Sequence, residues 1–80
     1  MYLVYFANPM MDGDFVEDPN APYHSRNSLD ESEIYAQEES NREHGVIHAV
    51  FQVDQSQLSD DIDTLNPLSL FWNGKRYRQE

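Results

Sequence analysis

No cysteine occurs in the sequence, so it has no disulfide framework, no thiolate metal ligand and no thiol nucleophile, a composition that suits a reducing cytosol. Basic residues are scarce. Five Lys or Arg stand against fifteen Asp or Glu, for a formal charge of −10 in 80 residues. That sign opposes direct nucleic-acid binding, where attraction to phosphate supplies most of the affinity. Long apolar runs are missing too: the segment from Met1 to Ala7 is too short for a membrane span and lacks the positive charge of a signal peptide. Signatures of catalysis are also absent, with no glycine-rich phosphate loop and no Gly-x-Ser-x-Gly elbow. The three histidines fall at His24 in a loop, His44 at a helix end and His48 in a strand. Gly45 separates the last two, so their i, i+4 spacing does not place them on one helical face and no metal site is expected. Asp12-Gly13-Asp14 with Glu17 and Asp18 has the composition of a calcium loop but not its alternating ligand order. An enzyme, a metal and a cofactor are therefore not expected.

What the chain does have is polarised charge. Residues 1–74 hold fourteen acids and only Arg26 and Arg42, or −12, while residues 75–80 sum to +2. Excess like charge destabilises a compact state by self-repulsion, so an imbalance of this size serves solubility or a basic partner. An acidic body with a small basic tip suits oriented docking. Full disorder is not expected, because aromatic residues make up 12% of the chain and cluster in short apolar runs. The length allows a single domain over 1–80 with one modest core, burying about 60% of the unfolded surface.

Tyr2, Val4 and Phe6 alternate with Leu3, Tyr5 and Ala7. Both sets are apolar, which predicts a strand near the sheet centre, covered on both faces and ended by Asn8-Pro9. Residues 8–28 carry Pro9, Gly13, Pro19 and Pro22 among acids. This long acidic loop is either a contact surface or a poorly ordered connection. Ser28-Leu29-Asp30-Glu31 matches a capping box and starts a helix that Arg42, His44 and Gly45 bring to an end. Leu29, Ile34, Tyr35 and Ala36 share no stripe, so the helix is expected to pack shallowly and to display acids in several directions. Val46 to Val53 reads as a strand whose Ile47, Ala49, Phe51 and Val53 face the core. A short second helix is expected from Leu58, Ile62 and Leu65, with Asp60, Asp61 and Asp63 on its outer side. Asn73-Gly74 predicts a two-residue type I′ hairpin pairing Trp72 with Lys75, Phe71 with Arg76, Leu70 with Tyr77 and Ser69 with Arg78. The whole is an α+β fold: a small, mostly antiparallel sheet of about four strands, one or two helices and a C-terminal hairpin. Its expected core is Leu3, Val4, Phe6, Ile47, Phe51, Val53, Leu58, Ile62, Leu65, Leu70 and Trp72.

Two surfaces follow as candidate partner sites. The first is the carboxylate set Asp30, Glu31, Glu33, Glu38, Glu39 and Glu43, spread over ~20 Å of helix at about 1.5 Å per residue, joined by Asp60, Asp61 and Asp63. The second is Phe71 with Arg76 and Arg78, either cation-π support for a sheet edge or a small contact patch.

In size, acidity and lack of cysteine, and in Glu31-Ser32-Glu33-Ile34 with the Asn73-Gly74 hairpin, the chain resembles small acidic inhibitors made by phages and mobile elements. These are anti-CRISPR proteins, restriction-blocking DNA mimics and the phage inhibitor of uracil-DNA glycosylase. The resemblance lies in style across the whole chain, and no functional residue is carried over. It implies a non-enzymatic protein in the cytoplasm of an infected bacterium, evading host defence by occupying the nucleic-acid surface of a basic effector, restriction or repair protein. It implies no cofactor, no membrane and no direct contact with nucleic acid. The alternative, from a different class, is a small phage-type structural, assembly or interaction module whose apolar patches bind another subunit and whose acidity serves solubility alone.

Overall fold

A computed structural model of the chain describes residues 1–10, 14–54 and 66–77. It has the expected α+β architecture. The strands are β1 (Tyr2–Ala7), β2 (Val16–Glu17), β3 (Ile47–Gln52), β4 (Ser69–Trp72) and β5 (Lys75–Tyr77), with a 3₁₀ helix at Tyr23–Asn27 and helix α1 at Leu29–Arg42. They form one antiparallel sheet in the order β2-β1-β3-β4-β5. The strand beyond the expected four is β2, which lies inside the acidic 8–28 loop and pairs Glu17 with Tyr5 and Val16 with Phe6. Part of that loop is thus sheet edge and 3₁₀ helix. β1 stops at Ala7, and Asn8 Oδ1 accepts from the Met10 N–H at 3.0 Å, turning the chain at the proline.

The hairpin forms in the expected register, Trp72 with Lys75, Phe71 with Arg76 and Leu70 with Tyr77. Its turn residues have positive φ, 52° at Asn73 and 83° at Gly74, as a type I′ turn demands. The Ser69–Arg78 pair, the short helix of Leu58, Ile62 and Leu65, and Asp60, Asp61 and Asp63 lie outside the described residues.

Two cores flank the central strand β3. One face of the sheet gathers Leu3, Ala49, Phe51, Val53 and Leu70, with Tyr5 and Phe15 against them. Tyr5 and Phe15 both meet the Phe51 ring edge-on, at centroid distances of 5.2 and 5.5 Å. The opposite face gathers Val4, Val50 and Phe71 with Ala21 and Ala36 under the helix. The expectation that only the Ile47/Ala49/Phe51/Val53 face of β3 is core is therefore corrected: His48 and Val50 on the other face are also buried. Leu3, Val4, Phe51, Val53 and Leu70 are buried as expected, whereas Phe6, Ile47 and Trp72 are half-buried.

The expected shallow packing of α1 is corrected as well. Ser32, Ala36 and Ser40 follow one another at i, i+4 and i+8 and are wholly buried. Small side chains let the helix backbone approach the sheet closely, and the two serines meet their own polar requirement. The Ser32 hydroxyl donates to the Ser25 carbonyl. Ser40 donates to the Gln37 carbonyl at 2.8 Å and accepts from the Gly74 N–H at 2.9 Å.

Candidate functional site

Ser28 starts the helix that carries most of the candidate carboxylates. Its side chain accepts from the Glu31 N–H at 3.3 Å. The reciprocal half of the box is not made, because the Ser28 N–H is already given to the Ser25 carbonyl at 3.2 Å. The Glu31 carboxylate turns instead to His24 Nε2, 3.7 Å away. At the other end the helix stops at Arg42, before His44, and Gly45 at φ +88° donates its N–H to Asn73 Oδ1 at 3.2 Å. The helix terminus is thereby tied to the hairpin tip.

With the small-residue face turned inward, the helix wheel sorts the acids into three groups. The hairpin flank carries Glu33 and Gln37. Glu33 accepts from the Ser69 hydroxyl, pairs with Arg76 Nη2 at 2.8 Å, and is half-buried. The hydrogen bond from Ser69, with Arg76 beside it, holds its carboxyl below the usual glutamate range. Gln37 Nε2 donates to the Gly74 carbonyl at 2.9 Å. The opposite flank carries Tyr35, whose hydroxyl donates to Asp18 Oδ2 at 2.8 Å, and Glu39, paired with Arg42 at 3.1 Å. The outward row holds Asp30, Glu31 and Glu38, with Glu43 at the C-cap, all exposed.

Of the six helix-region acids expected at a partner surface, four are exposed, Glu31 with His24 beside it, and two, Glu33 and Glu39, are tied into pairs with arginine. The row also has an apolar centre. Ile34 is 56% exposed between Glu31 and Glu38, and Tyr23 on the adjacent 3₁₀ helix is 79% exposed.

The second candidate surface divides: Phe71 is buried, whereas Arg76 is exposed. Phe71 is buried beneath α1 and the Arg76 guanidinium lies 5.1 Å from its ring centroid. Held also by Glu33, Arg76 acts as a clamp between hairpin and helix. Arg78 lies outside the described residues. Among the described residues, no three His, Cys, Asp or Glu converge closely enough to hold a metal ion, and no helix is long and apolar enough to cross a membrane.

Comparison of this α+β chain with protein-family models, with curated proteins and with solved structures finds no match.

Proposed function

We propose that the chain is a non-enzymatic inhibitor that binds a basic, nucleic-acid-handling host protein, such as a CRISPR effector or a restriction or repair enzyme, and blocks access of the nucleic acid. The observation that carries this reading is the division of labour among the helix acids. Arg42 and Arg76 are spent on the flanks, with Glu39 and Glu33, while Asp30, Glu31, Glu38 and Glu43 remain exposed in a body of strong negative charge. Duplex DNA presents about one negative charge per 1.7 Å of axis, and a groove tuned to that field also attracts fixed carboxylates on a rigid rod. A helix docked through wholly buried small residues is such a rod. Its setting would be the cytoplasm of an infected bacterium.

The experiment is a pull-down from the bacterial host with the wild-type chain and, in parallel, a chain carrying Glu31→Lys, Glu38→Lys and Glu43→Lys. Proteins held by the first and released by the second should be basic nucleic-acid-binding proteins. Capture of the same set by both chains, or of nothing that handles nucleic acid, contradicts the reading.

A second reading, a structural or assembly module, is favoured by the exposure of Tyr23 and Ile34, an aromatic and an aliphatic side chain suited to an interface centre. Salt separates the two, because an apolar contact hardly responds to ionic strength whereas a charged one weakens.

A further inference from the structure

Between β1, the chain after β2 and the far flank of α1 lies a cleft of about 510 Å³, walled by Phe6, Asp18, Tyr35, Glu39, Glu43 and His48. Three of these are carboxylates, and the one cation in the wall, Arg42, is engaged by Glu39. The three carboxylates and Arg42 of its described wall sum to −2.

Two of its groups are buried with hydrogen-bonding capacity that no described residue uses. Asp18 is only 7% exposed. Its Oδ1 accepts from the Asn20 N–H at 2.9 Å and its Oδ2 from the Tyr35 hydroxyl at 2.8 Å. Each carboxylate oxygen has a second lone pair, and among the described residues no Lys, Arg or His forms an ion pair with Asp18. A carboxylate taken out of water without a counter-cation is unfavourable, and a cation arriving there would relieve it. His48 is 2% exposed and its Nδ1 has no partner among the described residues. The ring lies 6.2 Å from Phe6, centroid to centroid, at the wall of the same cleft.

We infer that this cleft receives a guanidinium group, the side chain of an arginine presented by the partner protein, with Asp18 and Glu43 as its carboxylates and Phe6 and Tyr35 as flanking rings. A guanidinium suits the walls better than an ammonium. It is planar and weakly hydrated, it donates through a fork that can reach two carboxylates, and its face stacks on aromatic rings. A divalent cation is disfavoured because, among the described residues, no three His, Asp or Glu converge. The inference deepens the inhibitor reading, since a groove that grips phosphates is furnished with arginines, yet its test needs no nucleic-acid-binding partner.

The full chain is titrated with acetyl-Gly-Arg-Gly-amide, and the aromatic carbon–proton signals of His48 and Tyr35 are followed by NMR. The same peptide with citrulline, neutral but of nearly the same shape, is the control. The arginine peptide should shift both rings along one saturating curve, with the citrulline peptide roughly tenfold weaker, as loss of a charge-assisted pair implies. Asp18→Asn should weaken the arginine peptide several-fold. Glu43→Gln, at an exposed position, should weaken it in the same direction and keeps the test alive where the Asp18 variant fails to fold. Equal shifts from both peptides, or shifts confined to the Glu31–Glu38 row with His48 unmoved, overturn the inference. Binding of the arginine peptide in the cleft, by a chain that never competes with nucleic acid, would uphold the arginine site and reject the inhibitor reading.

Discussion

Glu33 is the acid whose position in sequence says least about its role. It sits among five other helix-region carboxylates, yet it alone reaches the hairpin, where Ser69 and Arg76 hold it in its charged form. Because its folded pKa is depressed, its contribution to stability is present above the ordinary glutamate range and is lost as the pH falls through the lower folded value. Glu33→Gln should therefore destabilise the fold at neutral pH by about 1–2 kcal/mol. It should also flatten the acid limb of the stability curve, and chemical denaturation between neutral pH and acid measures both effects. Tyr35 responds at the other end of the scale. Burial, and then the Asp18 carboxylate that accepts its hydrogen bond, push its phenol well above the ordinary tyrosine value. A folded pKa raised in this way favours the folded state below the ordinary tyrosine range and loses that contribution as the pH climbs past it. In an ultraviolet titration Tyr35 should ionise above the ordinary tyrosine range, and Tyr35→Phe should remove that late step. Neither partnership was legible beforehand, because Ser69 is 36 residues from Glu33 and Asp18 is 17 from Tyr35, and charge composition carries no such pairing.

At the scale of elements, legibility followed locality. The Asn73-Gly74 turn dictated its strands and their register from a dipeptide, and Ser28 capped α1 as its spacing predicts. The docking of α1 was not legible, because a search for an apolar stripe passes over Ser32, Ala36 and Ser40. What selects that face is size, not hydropathy. Ala36→Leu should consequently be destabilising, by about 1–3 kcal/mol from overpacking, whereas the same leucine at exposed Glu38 should change little; thermal unfolding of the pair distinguishes them. Gly74 has two reasons to be glycine: its φ of +83°, and the Asn41 side chain, whose atoms would lie 2.7–2.9 Å from an added Cβ. Gly74→Ala should lower stability by at least about 1 kcal/mol and loosen the Gly74–Ser40 and Gly74–Gln37 contacts, measurable as faster amide exchange at Gly74. The sequence pattern of β3 pointed to one buried face. The helix covers the other, which alternation within a single strand cannot reveal.

For the whole molecule, the Cα radius of gyration of 11.6 Å is that of one folded domain of this length, and the α+β class was legible from the order of strand and helix patterns. The charge map was legible only in outline. Subtraction along the chain located an acidic body, but the sorting of its acids into two clamped flanks and one open row depends on which helix face the sheet accepts. That sorting makes the central claim specific: the outward row, rather than total charge, sets recognition of a basic groove. The most direct measurement is competition with labelled nucleic acid for the host protein captured by the chain, at roughly 50 and 200 mM salt, with Glu31→Lys/Glu38→Lys/Glu43→Lys alongside and Glu33→Gln as an internal-acid control. The wild-type chain should displace nucleic acid, its affinity should fall at least about tenfold at the higher salt, and the triple reversal should abolish competition while Glu33→Gln retains it in the folded fraction. An affinity that neither salt nor the triple reversal changes would contradict electrostatic competition.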